Sequence, residues 1–149
     1  MIKSQRIKPI VRIARDKETS AARVMGEHQK ILAEHEARLE ELKLYQKEYS
    51  QRLAEKGQSG VDIARINEYR HFLSNLNQAV RQQQALVEMS KQALEEKNSQ
   101  WAQSRAKHKA LDKVMHRYRQ QEHRIVERRE QAESDERALH NPQRHQTED

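Results

Sequence analysis

Eight histidines in 149 residues are the first candidates for chemistry, so their spacing matters. Chelation on a helix needs ligands at i and i+3 or i+4. His28 and His35 are seven apart, as are His116 and His123, which separates each pair by about 10.5 Å along a helix axis. Glu68 and His71 have the i, i+3 spacing of a carboxylate bundle site, but the second such motif is missing. These histidines therefore read as seam or solvated residues, and neither metal nor cofactor is expected. The absence of cysteine excludes disulfides, thiolate metal sites and a cysteine nucleophile. There is no Gly-rich phosphate loop, Ser-His-Asp arrangement or strand-turn-helix context for catalysis. The chain is not expected to be an enzyme.

What remains is charge. Residues 1–15 carry five positives and no acid, and residues 105–129 carry nine positives and three acids. Residues 18–104 are near neutral, and residues 130–149 reverse to six acids against two arginines. If the chain folds back on itself, both basic segments meet at one open end, with Arg12, Arg15, Arg117, Arg124 and Arg128 facing an acidic partner. Nucleic acid is a possible acidic partner. However, Asp112, Glu122 and Glu127 interleave with the basic residues, and there is no aromatic platform for stacking bases. Nucleic acid is thus the alternative partner, not the expected one.

The elements that position these charges are helical. Apolar residues make up 34% of the chain and charged residues 35%, too little hydrophobic surface for a globular core but enough for a two-helix seam. Two of the three glycines fall in Gly57-Gln58-Ser59-Gly60. Each glycine costs a helix about 1 kcal/mol and readily takes the positive φ of a reversal. Before this break, a four-three spacing runs from Ile7 and Val11 through Leu39, Leu42 and Tyr49 to Leu53. After it, an a column runs Ile66, Leu73, Val80, Val87, Leu94, Trp101, His108, Met115. The d column weakens at Gln83, Ser90 and Lys97. Polar residues in a coiled-coil seam commonly specify register. Gly26 lies outside the stripe and should cost stability without ending the helix.

The expected fold is all-α, an elongated antiparallel coiled-coil hairpin in one domain, monomeric when free, with helix 2 longer than helix 1. Helix 1 is expected over about 9–56, with Pro9 in its first turn, and a turn over 57–61. Helix 2 should run over about 62–139 with Asp62 as its N-cap, and a disordered tail over 140–149. The length difference leaves about 116–140 of helix 2 overhanging. Two registers fit: Tyr49 opposite Leu73, or Tyr49 opposite Ile66 with Glu18 beside Lys97. No apolar run approaches a membrane span, and Met1–Ile10 is too polar for a signal peptide. A cytoplasmic protein is expected.

Tyr45-Gln46-Lys47-Glu48-Tyr49, followed by Leu53, Gly60, Tyr69, Phe72-Leu73, Leu76 and Ala79-Val80, resembles the flagellar export FliJ family. Ala21-Ala22-Arg23 and Gly26-Glu27 look like the same family, and the similarity covers about residues 14–83. The resemblance implies a stalk-like component of the type III export apparatus, peripheral at the inner membrane. It implies binding in the centre of the hexameric export ATPase, with promotion of ring assembly and hydrolysis. It also implies contact with the cytoplasmic domain of the membrane export gate and with cargo-free export chaperones. The family's partner-binding patch matches Leu42, Tyr45 and Tyr49 on helix 1 and Phe72, Leu76, Ala79 and Gln83 on helix 2. Arg38 stands where a glutamine is common, and Gln83 where a histidine can occur. The helix 2 members follow i, i+4, i+7, i+11, a single helix face. The stalk of a virulence secretion system and a nucleic-acid-binding basic coiled coil are the alternatives.

Overall fold

A computed structural model describes residues 2–60 and 62–140. They form two helices, α1 (Lys3–Gln58) and α2 (Ile63–Leu139), packed against each other as a helical hairpin. The reversal uses Gly60 at φ 75°, whereas Gly57 still belongs to α1. Asp62 caps α2: its carboxylate accepts from the Ala64 amide at 3.5 Å and its carbonyl from the Ile66 amide at 3.2 Å. Val61, Asn141-Pro142 and the expected tail beyond His140 lie outside the described residues.

The contacts form two compact units. In the unit Thr19–Ala102, Leu39, Leu42, Leu76, Val80 and Val87 make the core, with Leu32, Tyr49 and Ala79 packed against it. Tyr49 meets Phe72 and Tyr69 with ring centroids 4.5 and 6.4 Å apart, and Gln46 donates to Asn77 at 2.6 Å. These pairs select the register with Tyr49 opposite Leu73. Where the d column turns polar, Gln83 is buried and its amide donates to the His35 carbonyl at 3.0 Å. The polar layer is therefore hydrogen-bonded, which satisfies the groups and favours one pairing over its neighbours.

In the unit that joins the chain through Glu18 to the part of α2 from Gln103 onward, Val11, Ala14 and Met115 are buried. Glu18 pairs here with His108 and not with Lys97. Helix α1 begins at Lys3, ahead of the expected start at about residue 9, so Pro9 is interior to the helix. The reason is tertiary. Glu122 accepts from the Ser4 amide at 3.0 Å and the Ser4 hydroxyl at 2.6 Å, so a carboxylate on α2 caps the exposed donors and positive pole at the start of α1. Lys3 adds its ammonium 5.6 Å from the Tyr118 ring centroid. The early start also corrects the overhang. His116 to Glu122 lie alongside α1, and the stretch exposed throughout is residues 123–140.

Two expected results follow. Gly26 is helical, and a Cβ built on it meets nothing within 4 Å. Gly26→Ala should stabilise the protein by up to about 1 kcal/mol, read as a raised midpoint in thermal unfolding. The second concerns pH. Hydrogen bonds from Ser4 hold the Glu122 carboxyl below its ordinary value of 4.5, with Arg119 nearby assisting. Because the folded-state value is depressed, the contribution is complete above that ordinary value and lost as pH falls through the lowered one. Hydrogen exchange at Ile7 and Lys8, corrected for intrinsic rates, should accelerate severalfold in that acid range. Glu122→Ala, which removes the acceptor of both bonds, should produce the same acceleration at neutral pH and remove its pH dependence.

Candidate partner-binding surfaces

The turn end of the Thr19–Ala102 unit carries an aromatic group built from both helices. Tyr49 is the d residue one turn before the last apolar layer of α1, which turns its ring inward and leaves it half-buried. Phe72 lies at g on α2, at the seam's edge, so its ring packs on Tyr49 by one face and remains 46% exposed. Cations flank the rings: the Arg52 guanidinium is 5.2 Å from the Tyr49 centroid and the Lys56 ammonium 4.3 Å from that of Tyr69. Lys56 also donates to the Tyr69 hydroxyl, which holds that phenol below its ordinary value of 10.0. Arg65 and Glu68 complete a shallow depression beside Tyr49, Tyr69 and Phe72.

The seven residues of the expected patch divide by burial. Tyr45 and Phe72 are exposed, Tyr49 and Ala79 half-buried, and Leu42, Leu76 and Gln83 buried in the seam. The members of this group open to solvent are Tyr45, Phe72 and the outer faces of Tyr49 and Ala79. Leu42 and Leu76 set the spacing beneath it. Sequence reasoning missed Tyr69, Lys56 and Arg52 as members of this group. The signal was present: Tyr69 is one turn before Phe72, Arg52 follows Tyr49 by three residues and Lys56 follows Arg52 by four, the spacings at which helix side chains become neighbours.

The five arginines expected at the open end are all exposed. Arg12 and Arg15 line one groove with Lys8 and Arg119, where Asp112 is the sole acid. Arg119 joins this group although the sequence reading left it out. Arg124 and Arg128 stand farther along α2, interleaved with Glu127 and Glu130, so the basic field is stronger around Arg12 than around Arg128. Among the described residues no group of three or more His, Asp or Glu is placed to hold a metal ion, and no described helix is long and apolar enough to cross a membrane. The surfaces offer aromatic contact, cation–π contact and charge.

The profile of the family described as "Flagellar FliJ protein" matches residues 3–147. Comparison with curated proteins and with solved structures returned no match.

Proposed function

The chain belongs to the FliJ family of flagellar proteins, and we propose that it is a non-catalytic, stalk-type protein of flagellar export that acts in the centre of the export ATPase ring. There it promotes ring assembly and hydrolysis, and it links the ring to the cytoplasmic domain of the export gate and to cargo-free export chaperones. It works in the cytoplasm, peripheral to the inner membrane. The observation that carries this reading is the family match across both helices, from Lys3 past the end of α2. Two features support it. The basic residues around Arg12 and Arg119 offer charge to an acidic ring interior. Tyr45 and Phe72 supply exposed aromatic surface, the residue type that dominates binding energy at protein interfaces.

The test is reconstitution with the purified export ATPase. Addition of the chain should raise the hydrolysis rate and the fraction of hexamer in the same titration. Hydrolysis and assembly that do not respond, together with no ATPase in a pull-down from cell extract, would overturn the proposal.

A further inference from the structure

The two edges of the seam in the Thr19–Ala102 unit differ in chemistry. Along α1, Glu27, Glu34, Glu41, Glu48 and Glu55 recur at every seventh residue, and all five are exposed. They form one acidic ridge with steps of about 10.5 Å. Glu41 is tied to Arg38 at 3.0 Å, while the other four carry no ion pair among the described residues. Beside the ridge, apolar side chains face solvent: Ile31 at 42% exposure, and across the seam Leu86 at 42% and Met89 at 65%.

Contacts across the helices place these groups on one edge. Tyr49, at d on α1, packs on Phe72, at g on α2, so the g columns flank the side where d residues meet. His35 and Gln83 form a d layer. Ile31 is one turn before His35 and Leu86 one turn after Gln83, so both border that layer. The opposite edge is marked by Gln46 and Asn77 and continues with the exposed polar residues Gln84 and Lys91. Single exposed apolar residues are ordinary on protein surfaces. Here Ile31, Leu86 and Met89 gather on one edge, beside a periodic acidic wall, while Leu44 stands apart on the outer face of α1, and such a gathering is the pattern of a recognition surface.

We propose that this edge is a docking groove for an amphipathic helix of a partner protein, with its apolar stripe flanked by a column of lysines or arginines. Charge complementarity sets the sign of the partner, and the period sets its conformation. A helix repeats a basic column every seven residues at about 10.5 Å, in step with the glutamates. An extended strand repeats one face at about 6.6 or 13 Å and loses step. Ile31, Leu86 and Met89 then receive the apolar stripe, as in helix-in-groove recognition. Leu86, Met89, Glu27 and Glu34 lie outside the aromatic patch described above, so this part of the groove does not rest on the partners proposed there.

The probe is a synthetic 18-residue amphipathic peptide with leucines at heptad a and d and lysines in one flanking column. Its counterpart replaces those lysines with glutamates. Fluorescence anisotropy with the full chain at about 0.1 M salt, where the Debye length is ~10 Å, should show the lysine peptide binding at least about thirtyfold more tightly. Glu27→Lys/Glu34→Lys, and separately Leu86→Gln/Met89→Gln, should each weaken it at least about tenfold. Phe72→Ala should leave it within about twofold. If the Leu86 and Met89 double variant shifts the thermal midpoint, Met89→Gln alone takes its place. Equal binding of the two peptides, or binding that neither set of variants moves, overturns the proposal. So does self-association of the chain by sedimentation that Met89→Gln abolishes, because it assigns the groove to a second copy.

Discussion

Leu76→Ala is expected to lower the thermal midpoint by about 4–8 °C, while Phe72→Ala, one helical turn earlier, moves it by about 2 °C or less. Leu76 is 8% exposed and packs in the cluster of Leu39, Leu42, Val80 and Val87. Truncating a buried leucine costs about 2–5 kcal/mol. The low end applies here, because among the described residues no large side chain is fully buried and a thin seam can relax around the gap. Phe72 is 46% exposed and gives up mainly its contact with the Tyr49 ring, a half-exposed pair at the low end of the usual range, about 0.5 kcal/mol. On the function proposed above the ranking reverses. Phe72→Ala should weaken binding to the export-gate domain at least about tenfold, whereas folded Leu76→Ala retains most of it at temperatures well below its midpoint. Circular dichroism melts beside gate-binding titrations check both. Normal gate binding by Phe72→Ala would remove the aromatic group from the interface.

Much of the hairpin is legible in the sequence because coiled-coil pairing reduces fold to a one-dimensional pattern. The four-three spacing locates Leu39, Leu42, Val80 and Val87 in the seam, and all four are buried. The glycine cluster locates the reversal, though only Gly60 takes the left-handed conformation. The start of α1 is not legible, because its cause is non-local. Pro9 argues for a helix that begins there, yet Glu122, on the other helix, caps Ser4 and draws the helix back to Lys3. That reach follows from the register, and the register was open between two pairings whose hydrophobic columns match equally well. Polar pairs decide it. Gln46 with Asn77 and Gln83 with His35 each join a particular donor to a particular acceptor, and hydrogen-bond complementarity does not appear in a hydrophobic period. The aromatic patch was legible as a helix face, but its division into exposed and buried members was not. Leu76 at d and Phe72 at g are one turn apart and differ by only about 40° around the helix axis, and three-dimensional packing alone shows which of them a partner can touch.

Charge reversal at Arg12 and Arg119 is expected to abolish most of the stimulation of the export ATPase, by at least about tenfold relative to the unmodified chain. Reversal at Arg124 and Arg128 should reduce it less. The difference follows from their neighbours. Arg12 and Arg119 share a groove with Lys8 and Arg15, opposed there only by Asp112. Arg124 and Arg128 alternate with Glu127 and Glu130, which already offset part of their field. All four arginine side chains are exposed, so neither double variant should move the thermal midpoint, and lost stimulation then reports binding and not folding. Salt supplies a second readout. Stimulation by the unmodified chain should fade as ionic strength rises past the physiological value, where the Debye length falls below ~8 Å. The Arg12→Glu/Arg119→Glu chain should have little salt dependence left to lose. Stimulation that ignores both salt and charge reversal would assign the contact to apolar surface. If instead the unmodified chain binds duplex DNA as tightly as it binds the ATPase, with a steep salt slope, the basic groove serves nucleic acid, and the stalk function must rest on the aromatic surface alone.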